Sequence, residues 1–272
     1  MMAKLFRFDI KDGVGTITLD RPDSLNSLTF EIYAELRDFV ATLEFRRDVR
    51  VVMITGEGRG FCSGGDVEDI IGNLFSRDSE GLLEFTRMTG AVVANLRKLR
   101  KPVVAAVNGT CCGAGALLAI ASDIRLLSSS AKMAFLFVRV GLSGADMGAC
   151  QLLPRIVGLG RASEILMRGE FINSEECLRI GLANRVFPDA EFRARAAEYC
   201  YELACGPAFG LAMTKQMLES EYTMDTASAI EAEAQAQAIC MEHPDFKIAY
   251  EAWKAKKPIV FKDSPGPFGA KK

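Results

Sequence analysis

Pro102-Val103-Val104-Ala105-Ala106-Val107-Asn108-Gly109-Thr110-Cys111-Cys112-Gly113-Ala114-Gly115-Ala116-Leu117-Leu118-Ala119-Ile120-Ala121 decides the reading of this chain. Val103 to Val107 is a nearly continuous apolar run, as a strand buried on both faces requires. Glycines come at once after it, and then an apolar helix ending near Ala121. The same order stands upstream, where Val49 to Thr55 is a second buried strand. It leads into Gly56-Glu57-Gly58-Arg59-Gly60-Phe61-Cys62-Ser63-Gly64-Gly65-Asp66. A turn between a buried strand and a helix exposes backbone N–H groups, which suits an anion or a developing oxyanion. Taken singly, each turn is better explained by the tight geometry that glycine permits. Neither reads GxGxxG or GxxxxGK[ST], so a dinucleotide or P-loop site has little support.

Working outward, Leu5 to Ile10 and Val14 to Leu19 flank Lys11-Asp12-Gly13 as a β-hairpin. Thr29 caps a helix running to about Arg46, with Phe30, Tyr33, Leu36, Phe39, Val40 and Leu43 at spacings of 3 and 4. A further helix spans roughly 80–99, and Ile124 to Leu127 is a third strand. Alternation of strand, glycine turn and helix predicts a parallel α/β core. Beyond residue 146 helices dominate, over 146–155, 160–168, 174–180, 190–204, 207–220, 224–242 and 245–256. The tail from Pro258 reads as irregular. The helix 224–242 carries Met224, Ala227, Ile230, Ala234, Ala238 and Met241 as an apolar stripe, suited to an interface or to the chain's own core.

Composition narrows the chemistry. The chain has 272 residues, 33 Lys plus Arg, 35 Asp plus Glu and a net charge of −2, which argues against nucleic acid or an acidic membrane surface as partner. The single histidine, His243, excludes multi-histidine metal sites, and no metal site is expected. The eight cysteines, at 62, 111, 112, 150, 177, 200, 205 and 240, form no CxxC and read as reduced buried thiols. The N-terminal residues Met1 to Asp9 lack the apolar region of a secretory signal, and no run has the length of a membrane span, so a cytoplasmic protein is expected.

The two turns together carry a family resemblance. Arg59-Gly60-Phe61-Cys62-Ser63-Gly64-Gly65-Asp66-Val67 resembles the glycine turn of the crotonase (enoyl-CoA hydratase/isomerase) superfamily. Lys101 to Gly109 is similar to its KPxIAAxNG strand, and Gly113-Ala114-Gly115 with Ala121-Ser122-Asp123-Ile124-Arg125 to the continuation. Arg21-Pro22 with Leu25-Asn26-Ser27-Leu28 resembles RPxxxNAL. Leu153 through Gly160-Arg161-Ala162 and Gly169 to Val186 matches the family's next segment. The similarity runs in order from about residue 5 to 262.

The resemblance implies an α/β spiral of ββα units over 1–200 and a helical trimerisation region over 201–272. It implies an acyl-CoA substrate whose thioester oxygen is held by the N–H groups of Gly65 and Ala114. Leu25, Ser63 and Gly64 match CoA contacts. Phe261 and Lys262 match a pair that a neighbouring subunit offers to the adenosine phosphate. It further implies a homotrimer or dimer of trimers, and no cofactor beyond the coenzyme A of the substrate. Two family glutamates that activate water are replaced here by Leu117 and Phe137, neither of which can move a proton. Asp146, in Gly141-Leu142-Ser143-Gly144-Ala145-Asp146-Met147-Gly148, matches an aspartate of family isomerases. Read alone, Asp146 is the N-cap of helix 146–155. With the resemblance it becomes the catalytic residue of a double-bond isomerase. A CoA-thioester hydrolase, a C–C-cleaving enzyme and a non-catalytic CoA-binding protein are the alternatives. Arg139 is a partner for Asp146 or for a substrate carboxylate, or else a surface residue, Asp66 a support for its turn, and Cys111 or Cys112 a weaker nucleophile candidate.

Overall fold

The computed structural model describes residues 3–269; Met1, Met2 and residues 270–272, which belong to the expected N-terminal segment and tail, lie outside the described residues. Two sheets share the chain by a simple alternation. The larger has six strands: β1 (Arg7–Lys11), β2 (Val14–Leu19), β3 (Val51–Gly56), then β5 (Val103–Val107), β7 (Ile124–Ser128) and β10 (Arg185–Phe187), in that spatial order. The smaller joins β4 (Gly60–Cys62), β6 (Thr110–Cys112), β8 (Lys132–Ala134) and β9 (Ile172–Asn173). Thus β3–β4, β5–β6 and β7–β8 each send one strand to the large sheet and the next to the small one, giving the expected spiral of ββα units. The β1–β2 hairpin is antiparallel, and the strands β2, β3, β5, β7 and β10 pair parallel.

Continuous apolar strands arise because both faces of the large sheet are covered. On one face Val52 and Ile54 of β3 and Val103, Ala105 and Val107 of β5 join the main core with α1 (Phe30–Leu43), α2 (Ser79–Lys98) and α3 (Ala114–Ala121). On the other, Val51, Val104, Ala106 and Leu126 meet Phe192, Ala196, Cys200 and Ala204. The helices α4 (Ala149–Val157), α5 (Leu159–Arg168) and α6 (Ser174–Arg179) precede α7 (Phe192–Ala204), which supplies those four residues. Residue 200, the expected domain boundary, lies within α7.

The last helices are α8 (Ala208–Ser220), α9 (Thr226–Glu242) and α10 (Pro244–Lys254). One buried charge ties them to the core. Lys215 Nζ donates to the carbonyls of Leu96 (3.1 Å) and Lys101 (3.0 Å) and pairs with Asp123 Oδ2 at 2.8 Å. Arg97 joins Asp123 to Glu219. Burial lowers the Lys215 pKa against the pull of Asp123. The predicted stripe Met224, Ala227, Ile230, Ala234, Ala238 and Met241 is exposed throughout, so it is no part of the chain's own core. The tail is irregular apart from a bridge between Ile259 and Phe268.

The structure departs from the sequence reading in places. The short strands β4, β6, β8, β9 and β10 carry no signal in the sequence pattern, and the last two lie beyond residue 146, where helices are expected to dominate. Helix α4 begins at Ala149, three residues late, and its N-cap is Gly148 in the left-handed region.

Candidate active site

The first turn leaves the small sheet at Cys62. Leu28, just before α1, pairs with Gly65 as a parallel bridge: Leu28 N–H donates to Gly64 O at 2.8 Å and Asp66 N–H to Leu28 O at 2.9 Å. In such a bridge the N–H of Gly65 points to the other side. Asp66 fixes the next turn of the chain. Its carboxylate accepts from the amides of Glu68 and Asp69, from Ser27 Oγ at 2.9 Å and from Arg21 at 3.1 Å. These bonds, led by the Asp69 amide, hold it below the usual carboxylate range, and it caps a single wide π-helical turn over Val67–Gly72. Asp66 is therefore a support for its turn.

The second turn leaves β6 at Cys112. Gly113 has φ +50° and ψ −122°, which side chains other than hydrogen rarely permit. Gly115 sits against β4, where a Cβ would lie 2.3 Å from Cys62 O. Ala114 between them is the first residue of α3, with helical backbone that alanine adopts freely. As a helix-starting residue its N–H has no partner within the helix. Among the described residues neither Gly65 nor Ala114 donates its N–H to a protein acceptor. The turns touch: a Cβ built on Gly64 would lie 3.6 Å from Ala114 N and 3.3 Å from Cys112 O. Two unpaired main-chain donors thus stand on adjoining turns, the second at a helix N-terminus whose dipole favours negative charge.

Around them the side chains are mostly apolar. Leu117 is fully buried in α3, and Phe137 lies on a 3-10 turn over Leu136–Val140 beside the buried Phe135. The one carboxylate of the adjoining loop is Asp146. Burial raises its pKa, and a bond from the Met147 amide only partly offsets this. Asp146 does not cap α4, contrary to the reading of it in isolation. Met147 is held at φ +42° and Gly148 at +87°, so the chain kinks between Asp146 and the helix. The loop rests on α2, with Val93 and Leu152 beside Gly148.

The remaining expected residues divide. Leu25 and Ser63 come together: Ser63 N–H donates to Leu25 O at 2.9 Å and Ser63 Oγ to Ser24 O, with Gly64 next in the chain. Phe261 and Lys262 are grouped elsewhere. Phe261 is buried against Phe268, and the Lys262 carbonyl accepts from Arg50, so only the exposed Lys262 side chain is offered outward. Arg139 pairs with Glu170 and the Arg168 carbonyl on the surface, away from Asp146. The thiols beside the turns are disarmed by burial: Cys112 is pushed up to about 11, Cys62 to about 12 and Cys111 well above its ordinary value.

The sequence pattern assigns Tyr33 to the core face of α1. In the structure Tyr33 is buried, and burial first, then the charges of Cys62 and Asp146, raise its pKa well above the ordinary phenol value. The only signal in the sequence is a lone hydroxyl in an apolar stripe, one turn after the residue that pairs with Gly65.

The enoyl-CoA hydratase/isomerase family model matches residues 9–264. The chain belongs to this family. It is 33% identical over 260 residues to 1,2-epoxyphenylacetyl-CoA isomerase of Escherichia coli, covering 96% of this chain and 99% of that one. A Mycobacterium bovis protein named a probable enoyl-CoA hydratase (echA12) is 37% identical over 239 residues, 83% of this chain and 79% of that one. A solved structure from Streptomyces coelicolor A3(2), provisionally described as an enoyl-CoA hydratase, superposes with a TM-score of 0.93 at 48% identity, covering 96% and 94% of the two chains. The chain is thus an acyl-CoA enzyme of the crotonase fold, and its relatives bear both hydratase and isomerase names. No described helix is long and apolar enough to cross a membrane.

Proposed function

We propose that this enzyme moves a carbon–carbon double bond within the acyl group of a CoA thioester. The amides of Gly65 and Ala114 hold the thioester oxygen as it gains charge, a role worth about 3 kcal/mol of barrier per donor. Asp146 removes a proton from one carbon of the acyl group and returns it to another through the enolate. The observation that carries this reading is the pairing of two unpartnered amides with one carboxylate whose proton affinity is raised, where the two water-holding glutamates give way to Leu117 and Phe137. Hydration needs a positioned water as well as a proton carrier, and leucine and phenylalanine hold none.

The CoA moiety arrives with the substrate and no further cofactor enters the scheme. Leu25, Ser63 and Gly64 form the near wall for it, and Lys262 is offered to a neighbouring subunit in a homotrimer or dimer of trimers. The exposed α9 stripe and an apolar groove of about 770 Å³ between α8 and α9, lined by Leu211, Met217, Ile230 and Ala234, support such an assembly. A cytoplasmic role in fatty acid metabolism suits the substrate class.

The test is to incubate wild type and Asp146→Asn with 2-enoyl-, 3-enoyl- and dienoyl-CoA, following double-bond position by NMR. Isomerisation lost in the variant supports the proposal. Hydration at full rate in both proteins overturns it, thioester hydrolysis points to the hydrolase alternative, and binding without turnover to a non-catalytic protein.

A further inference from the structure

Helix α4 begins three residues after Asp146 and is ill equipped to hold its own place. It has nine residues and carries Pro154 inside it. A proline offers no N–H, so the Cys150 carbonyl has no partner along the helix. A helix this short takes its stability from packing rather than from its own turns. Its fully buried residues, Ala149, Leu152 and Leu153, belong to the first half, while Ile156 and Val157 of the last turn are only partly buried.

The far end is met from outside. Arg155 Cζ stands 3.3 Å from the centroid of the Tyr222 ring, over its face. Gln151, one turn earlier on α4, accepts from the same guanidinium at 2.8 Å once its amide oxygen is assigned to that side. Tyr222 lies on the 3-10 turn Glu221–Thr223 that joins α8 to α9. The ring is 59% exposed, so it adds little to a core.

The stack closes a circuit of contacts. Glu219, three residues before Tyr222, pairs with Arg97 of α2 at 2.6 Å, and Arg97 is braced by Asp123. One turn earlier on α2, Val93 lies beside Gly148, with Leu152 on the same glycine. Next in the chain, Ala149 N–H donates to Asp146 O at 2.8 Å. The near end of α4 thus rests on α2, and its far end is stacked on a turn tethered to that same helix. An exposed cation–aromatic pair adds little to global stability. Its effect here is local, on where α4 sits.

We propose that Arg155 and Tyr222 are positioning residues for Asp146: their stack seats α4, and α4 sets where the Asp146 carboxyl meets the acyl group. The C-terminal region thereby takes part in catalysis within its own chain. This rests on the reading of Asp146 as the proton carrier. Proton transfer tolerates little misplacement, a shift of about 1 Å costing about 100-fold in rate.

Two readouts test this, and one needs no turnover. The variants are Arg155→Met, which keeps an unbranched stem without the guanidinium, Tyr222→Leu, the double variant, and Tyr222→Phe. Hydrogen exchange is followed in a peptide covering 146–150. Each of the first two variants should speed exchange there about fivefold, while α3 amides keep wild-type rates. The double variant should be no faster than either single one, because both remove one contact. Tyr222→Phe keeps the ring face and should match wild type. On whichever enoyl-CoA wild type isomerises, kcat should fall about tenfold in the two single variants, with KM within twofold.

Unchanged exchange at 146–150 overturns the proposal, and so does faster exchange with an unchanged kcat. Faster exchange throughout the chain also overturns it, as the mark of general scaffolding, and so does an additive loss in the double variant. A raised KM at constant kcat would put the pair in substrate binding instead. If wild type isomerises no enoyl-CoA, the reading of Asp146 fails, and exchange alone still decides whether the stack holds the loop.

Discussion

Replacing Gly115 by alanine tests whether the close approach of α3 to β4 sets the oxyanion geometry. The added Cβ would lie 2.3 Å from Cys62 O and 2.7 Å from Cys62 Cβ. Backbone on one side and a paired strand on the other leave no flexible side chain to yield, so the start of α3 must withdraw by about 1 Å to restore ordinary contact. That withdrawal carries Ala114 N–H away from Gly65 N–H, while an oxyanion needs both donors at about 2.7–3.1 Å. A misplacement of about 1 Å costs about 100-fold in rate, or roughly 2.7 kcal/mol of barrier. Strain of about 1–3 kcal/mol in the fold is partly offset by the better helix propensity of alanine, about 1 kcal/mol. The assay is kcat/KM on whichever enoyl-CoA wild type converts, with thermal unfolding alongside. Gly90→Ala is the control, because a Cβ there meets nothing within 4 Å in the middle of α2. It should keep full activity and gain up to about 1 kcal/mol of stability. A folded Gly115→Ala variant with kcat/KM within threefold of wild type would refute the reasoning.

Three further outcomes are expected. Asp146→Asn lowers turnover by about 10²–10⁴. Because burial raises the folded-state pKa of Asp146, the ionised form opposes folding, and stability falls as pH rises from the ordinary carboxylate value through the raised one. The variant should therefore melt no lower than wild type at neutral pH. The acid limb of the wild-type rate profile should lie above the ordinary carboxylate range, and a limb at or below that range would contradict a desolvated base. Lys215→Ala removes one of the two cations on the Asp123 carboxylate, leaving Arg97, and should cost about 1.5–3 kcal/mol in chemical denaturation, with α8 amides exchanging fastest; a loss under about 1 kcal/mol would show that the tie is idle. Under native conditions a thiol reagent should modify the exposed Cys150 first, while Cys62 and Cys111 react only on unfolding.

Much of this arrangement is written locally. The buried strands β3 and β5 and the long helices α1 and α2 follow from runs and periods that each segment carries by itself. The two glycine turns stand where the strands end. The short strands β4, β6, β8 and β9, of two or three residues, carry no period; they exist because neighbouring turns pair with one another. Asp146 misleads for a similar reason. Its sequence setting resembles a helix cap, but the surrounding fold holds Met147 at positive φ, and no local preference of methionine announces that. The α9 stripe shows one apolar face without saying what covers it. Tyr33 looks like core because six residues of its stripe are buried, and its exceptional atom is a single oxygen.

The two main-chain donors come from successive ββα units and meet only where Gly64 approaches Cys112 and Ala114. Neither unit holds half of a working pocket by itself, since a single amide on an open turn is satisfied by water. In the proposed mechanism, reactivity toward thioesters is therefore a late property of folding, acquired when distant segments close rather than when helices and strands form. During refolding, circular dichroism would recover before turnover. A nascent or partly unfolded chain, however helical, would leave the cell's CoA esters untouched.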